Sequence, residues 1–376
     1  MTGASRLGRR AALGIGMSLA MPGLLRAQGS IAVTDLLGRQ VRLPRTPRRI
    51  VLGQGRLLSL MGLLHPDPVS LLVGWASDLV EVFPDEYAVW TRHSPGLAGI
   101  PQLGRKILAD FSLEAAVAQQ PDLILLNRLN IAPVDARGRS EVLAKVESLG
   151  VPVAVIDCMA DPMRDTLPSI AILGALLGRE ERARELSAFY AAQMQSLDTW
   201  LTASRPPVAS VLLHNHGGGR ECCFSIAQGS FTALIEKVRG RSIAADLLRT
   251  PLGQLHFEYV LTHPADVYVT TGGVYNGRGG VSLGAGIAPE VASNTLASML
   301  AAQRLEGLPS VAAGRAFGIW HGFNETPQHL VALQALAGWL HPEAKERFDP
   351  RPTMDAFNTR FAAVPYEGTY WTGLRP

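Results

Sequence analysis

The chain has 376 residues with 35 Lys and Arg against 32 Asp and Glu, a formal charge of +3. So small an excess gives no electrostatic case for nucleic acid, whose binding needs concentrated Lys and Arg. The length exceeds what one hydrophobic core covers and fits two domains or lobes. Three Cys, at 158, 222 and 223, are too few for a disulfide scaffold. The adjacent pair Cys222-Cys223 suits a vicinal bridge or a soft metal, but buried or free thiols are the ordinary reading and no role is assigned.

Arg6, Arg9 and Arg10 precede an uncharged stretch from Ala11 to Leu25 and then Arg26-Ala27-Gln28. A positive start, ~15 apolar residues and a small residue before the cut describe a secretory leader over 1–27 rather than a membrane span, which takes ~20 residues. The pair Arg9-Arg10 resembles a twin-arginine signal, with the ordinary secretory route as the alternative. Cleavage removes four Arg and no acid, so 35 basic residues fall to 31 against 32 acidic ones and the charge becomes −1. No Cys lies near the cut, which argues against a lipid anchor.

Residues Val33 to Pro44 alternate around an Asp/Gly turn and read as a β-hairpin. Buried strands are expected at Arg49 to Leu52 and Ser70 to Val73, separated by a helix at Leu57 to Leu64, and again at Leu123 to Leu126 and Val153 to Ile156. The stretch Phe111 to Leu126 recurs as Phe257 to Thr270: a short helix carrying a Glu, then Pro, Asp and an apolar strand. That unit builds open parallel sheets covered by helices, and its presence in each half predicts two related α/β lobes, 28–160 and 205–345, with a cleft between them. Between them, Pro162 to about Ala203 has helical spacing throughout, interrupted at Gly178, and reads as a connecting helix over 161–204 that would restrict hinge closure.

The second lobe is expected to hold strands Val208 to Leu213, Val267 to Thr270 and one near Ala316 to Trp320. Its helices fall at Phe231 to Val238, Ser293 to Ala302 and Pro327 to Leu340. The stretch Thr271-Gly272-Gly273 to Gly277-Arg278-Gly279-Gly280 lacks the ending of a phosphate loop and reads as a cleft rim. The tail, 346–376, reads as an irregular segment over the surface.

Four segments in order resemble the periplasmic binding proteins of ABC importers for ferric siderophores, haem and vitamin B12, called class III or cluster A: the hairpin through Pro47-Arg48-Arg49-Ile50-Val51, Ser112-Leu113-Glu114 to Leu123, Gly229-Ser230-Phe231 to Asp246, and Leu308 to Arg315 with Trp339-Leu340-His341-Pro342. The resemblance implies two Rossmann-like lobes joined by a long backbone helix, with the ligand in the cleft. It implies a permease-docking Glu on each lobe, at Glu114 and Glu236. The partners would be an ABC permease dimer and a small-molecule metal complex, the protein a periplasmic monomer without membrane insertion after cleavage. No resident cofactor is expected; the cargo would be an iron chelate.

Ligands of open α/β sheets sit beyond the carboxyl ends of the strands. The residues there are Gln54 and Arg56; Trp75; Asn127 and Arg128; His214, Asn215 and His216; Tyr275; and Trp320, His321, Phe323 and Asn324. Aromatic, amide, His and Arg groups with little carboxylate suit a large, partly planar, anionic or metal-chelated ligand. Trp75 and Trp320 fit core packing equally well, and Arg128 a helix cap. His214 and His216, at i and i+2 on a strand end, would face one side and could ligate a metal with His321 as a third ligand; bonding to a ligand or a structural turn is the alternative. The Gly run after them would let backbone N–H groups approach an anion.

The sequence therefore predicts a receptor for a ferric siderophore, with haem, a corrinoid, another organic cofactor or a metal chelate as alternative cargo. A secreted metal-dependent hydrolase would need a further carboxylate or His and a general base. The chain has neither a Gly-x-Ser-x-Gly elbow nor a His-Glu-x-x-His helix, and no enzyme is expected.

Overall fold

A computed structural model of the chain describes residues 30–104, 111–134, 140–220, 222–274 and 280–374. The leader expected over 1–27, Tyr275 and most of the second glycine-rich stretch lie outside the described residues. The described residues open on a hairpin of β1 (Ile31–Thr34) and β2 (Gln40–Leu43). Asp35 holds its turn by accepting from the N–H groups of Leu37 and Arg39, and Gly38 supplies the positive φ of 77°.

The first lobe follows as β3 (Ile50–Leu52), α1 (Leu57–Leu64), β4 (Leu72–Trp75), α2 (Asp78–Val82), α3 (Pro84–His93), α4 (Leu113–Ala118), β5 (Leu123–Leu126), α5 (Glu141–Ser148) and β6 (Val153–Val155). Next come α6 (Pro162–Leu176) and α7 (Glu180–Ser204). The second lobe holds β7 (Ala209–His214), β8 (Phe224–Ile226), α8 (Ser230–Lys237), β9 (Gly240–Ser242), β10 (Leu252–Gln254), α9 (Phe257–Thr262) and β11 (Val267–Gly272). It continues with β12 (Gly284–Ala285), α10 (Pro289–Ala302), α11 (Pro309–Ala312), β13 (Ala316–Trp320) and α12 (His329–Leu340), and the chain closes on α13 (Pro350–Ala356), β14 (Gly368–Thr369) and β15 (Trp371–Gly373).

The first sheet has the order β4-β3-β5-β6, all parallel, and the second β15-β13-β11-β7-β9, parallel except for β15. In each lobe the first strand of the sheet sends the chain to one side and then to the other. The reversal points therefore lie between β3 and β5 and between β7 and β11, and there a crevice opens beyond the strand ends. The strands are apolar because both faces are covered: all four residues of β5 are buried. Alternation divides them, Ile124 and Leu126 joining a small core under α4 and α5 while Leu123 and Leu125 join the core that continues into the second lobe.

The repeated helix–Pro–Asp–strand unit is present in both lobes as α4–β5 and α9–β11. Its Asp has one job in each. Asp122 accepts from the N–H of Arg48 just before β3 at 2.9 Å, and Asp266 accepts from the N–H and hydroxyl of Ser210 in β7 at 2.7 Å each. The Asp thus pins the start of the neighbouring strand, and the Ser210 bonds hold the Asp266 carboxyl below its usual range.

The helical stretch between the lobes breaks at Gly178, whose φ of 63° is left-handed. Helices α6 and α7 run back along each other, so closely at Gly174 that a Cβ there would lie 2.3 Å from that of Ala183. α6 packs against both β1 and α8, and α7 against both α1 and α12, so this helix pair ties the lobes. The tail departs from expectation: it is ordered, not an irregular cover. Phe357, Phe361 and Tyr370 are buried, β15 pairs with the free edge of β13, and Ala363 donates to the Gly62 carbonyl of the first lobe at 2.8 Å. Buried aromatics and an open sheet edge are what draw it in. Among the described residues no helix is long and apolar enough to cross a membrane.

Asp266→Ala removes two hydrogen bonds to a strand start and is expected to cost about 1–2 kcal/mol, read as a lower urea midpoint with unchanged slope; an unchanged midpoint would refute the pinning role.

Candidate ligand site between the lobes

The strand-end residues meet at one seam. Gln54 follows β3 and Asn127 follows β5, so the two flank the first reversal point, and the Asn127 amide donates to the Gln54 carbonyl oxygen. Gln54 in turn reaches across the lobes to the Glu325 carboxylate at 2.8 Å. Arg56 precedes α1 and its side chain is fully buried. It donates to the Gly322 carbonyl of the second lobe at 2.9 Å and lies 3.3 Å from Glu86 and 3.7 Å from Glu325. Its guanidinium also sits over the rings of Phe83, 4.2 Å from the centroid, and Trp320, 5.0 Å. Burial works against this charge, but Glu86 and Glu325 outweigh it and raise the pKa of Arg56.

Carboxylates are therefore not scarce here, contrary to the sequence reading. Asp78 accepts from the N–H of Gly55 at 2.5 Å and of Arg56 at 3.3 Å, stabilising the start of α1, and Asp85 accepts from Ala285 of the second lobe at 3.0 Å. Burial pushes Asp78 and Asp85 up to about 6 and Glu325 up to about 7. The sequence signal was available: Asp78 opens the first helix after the strand end at Trp75, Asp85 and Glu86 lie in the first turn of the next helix, and Glu325 is the neighbour of Asn324.

On the second lobe, Trp320 plugs the seam, its ring edge-on to Phe83 at 5.7 Å and to Tyr370 at 5.0 Å. Phe323 packs behind it at 5.4 Å, and Asn324 donates to the Ser230 hydroxyl at 3.2 Å. His321 stacks on Phe83 across the seam, and its ring centroid lies 3.9 Å from that of His216. Burial and the neighbouring His216 and Arg56 hold His321 well below its ordinary pKa.

His214 and His216 do not share a face. The left-handed φ of 55° at His216 takes it off the strand alternation. His216 and His321 lie over Thr271, while the His214 ring turns to the Tyr268 hydroxyl at 2.7 Å, on the side of Thr270. Burial, with His216 next, holds His214 at about 4. His321 therefore joins His216 rather than completing a triad. Asn215 belongs to the same side as His216, accepting from the Thr271 hydroxyl at 3.0 Å.

Three other expected groups serve the lobes instead. Trp75 is buried in the first lobe, its indole N–H donating to Ile100 at 3.3 Å. Arg128 pairs with Asp165 of α6 at 2.7 Å, so its charge is already committed. The glycines after His216 serve close packing: a Cβ on Gly218 would lie 2.6 Å from Gly280, and one on Gly217 2.2 Å from Thr270. Glu114 on α4 and Glu236 on α8 are exposed; Lys145 bonds the Glu114 carboxylate and lowers its pKa. A mostly apolar groove of about 750 Å³ along α6 and α7, lined by Met163, Leu167, Tyr190 and Met194, carries none of the expected ligand residues.

No protein-family model matches the chain, and neither does any curated relative. Solved structures do. The TroA-like periplasmic binding protein FepB from Veillonella parvula superposes with a TM-score of 0.80 at 24% identity, over 92% of this chain and 100% of that one. The molybdate periplasmic binding protein MolA of Haemophilus influenzae gives 0.66 at 17% identity, over 89% and 99%. A protein of the Fe3+-hydroxamate transport system of Saccharomonospora viridis gives 0.54 at 20% identity, over 83% and 99%. The chain has the two-lobed α/β fold of the TroA-like periplasmic binding proteins.

Glu325, like Asp78 and Asp85, has a folded pKa above its unfolded one, so the native state holds the extra proton and this share of stability is present at low pH and lost as pH rises through about 7. The buried imidazoles His214, His321 and His329 pull the other way, being held neutral and losing stability as pH falls below their ordinary value. The difference between wild type and Glu325→Gln isolates the carboxyl: the variant should melt higher than wild type at pH 8 and lose that advantage by pH 5. A difference independent of pH would refute the assignment.

Proposed function

We propose that the chain is a periplasmic solute-binding protein, not an enzyme, exported by the twin-arginine route, that captures a ferric siderophore and delivers it to an ABC permease. The observation that carries this reading is the convergence of both reversal points on one seam lined by Arg56, His216, His321 and aromatic rings, in a fold shared with periplasmic binding proteins. The seam is closed by Gln54–Glu325, Arg56–Gly322 and Asp85–Ala285. A ligand enters when these part. An anionic chelate then takes the place of Glu325 against Arg56, a charge-assisted exchange that conserves the burial of the guanidinium.

Haem or a bare metal ion is the second reading, favoured by the His216–His321 pair. Tryptophan fluorescence titrated with ferric siderophores, haem, cobalamin and free metal ions separates the two. Saturable quenching by a ferric chelate, weakened about tenfold or more in Arg56→Gln, is expected; a response confined to haem or bare metal, lost in His216→Ala, would replace the siderophore reading.

Glu114 and Glu236 are proposed as the permease-docking pair, supported by their exposure on α4 and α8 of opposite lobes. Reversing both to Arg should abolish uptake in cells and leave ligand affinity unchanged; full uptake by the double variant would remove the assignment.

A further inference from the structure

Behind the seam, His214, Cys222 and Cys223 bring a ring nitrogen and two sulfurs within 4.8 Å of one another. The two cysteines are joined as a disulfide. We propose that, once that bond is reduced, these three residues form a binding site for a soft cation such as Cu(I), and that the disulfide closes it. This site is separate from the interlobe seam and does not depend on the cargo bound there.

Three observations support the assignment. Metal–ligand bonds of about 2.0–2.3 Å set two ligands of one ion up to about 4 Å apart, so the two sulfurs must part once their bond is reduced, while the imidazole nitrogen already lies within 4.8 Å of both. The His214 ring is oriented by the Tyr268 hydroxyl at Nδ1, the contact that fixes which nitrogen is left to face a metal, and its buried Nε2 has the Arg220 backbone beside it. Cys222 is half-buried and lines a pocket of about 560 Å³ with Gly218, Gly219, Arg220 and Gln303, which gives an ion a route in, while Cys223 is fully buried.

Thiolates with imidazole select soft ions over Mg2+ or Ca2+. A dithiol reductant delivers two electrons and two protons to the Cys222–Cys223 bond and leaves as its own disulfide. Cu(I) then displaces both thiol protons, and His214 adds its lone pair. Cys158 does not compete, because burial raises its thiol pKa far above the usual value and it lies outside the cluster.

The test is competition for Cu(I) against a chromophoric Cu(I) chelator under anaerobic conditions, with the mature protein either oxidised or reduced and freed of excess dithiol. Reduced protein should take one equivalent, with thiolate-to-copper absorption in the near ultraviolet, and oxidised protein should bind at least about 100-fold more weakly. His214→Asn should weaken the reduced site by about tenfold or more. Equal binding by the two redox states of the wild-type protein, which needs no variant, would overturn the proposal. So would full binding by a folded Cys222→Ser/Cys223→Ser variant.

Discussion

The closed seam depends on one buried cation. A guanidinium taken wholly out of water costs several kcal/mol unless its charge and its donors are met, and Arg56 meets them from both lobes: Glu86 from the first, the Gly322 carbonyl and Glu325 from the second. Phe83 and Trp320 shield it on its faces. The same group therefore joins the lobes and makes the join reversible. Parting them without a replacement strands Glu325 and Arg56, whereas parting them around an anion does not. Asp78 belongs to this arrangement because it fixes the turn that carries Arg56, holding the N–H groups of residues 55 and 56.

Much of the fold was legible because each lobe repeats one instruction. Phe111 to Leu126 and Phe257 to Thr270 both encode a short helix, a stop and a doubly covered strand, and hydrophobic runs of that kind have few alternatives. Gly178 marked the helix break for a local reason, its left-handed φ. Gln54, Arg56, Asn127, His216 and His321 were named because they follow expected strand ends, and the strand order, which the sequence did not show, is what brings them to the seam.

What the sequence hid was partnership. Nothing local to Glu325 or Asp85 says that one faces Gln54 and Arg56 of the other lobe or that the second faces Ala285, because those contacts span some 200 residues or more. An exposed acid and a buried one look alike in a string. The tail was misread for a similar reason: β15 has three half-buried residues and no strong alternation, and its place is dictated by the free edge of β13. The two histidines failed differently. Period-two alternation holds only while the strand lasts, and β7 ends at His214.

That last failure separates two chemistries across a single strand. Thr270 and Thr271 of β11 point to opposite faces, so His216 and His321 gather on one side and His214 with Tyr268 on the other. The separation is steric but not electrostatic: after burial, the neighbouring His216 is the next cause that depresses the protonation of both His214 and His321. The seam and the sulfur cluster are distinct in their ligands, yet the half-buried His216 gives them a shared electrostatic neighbour.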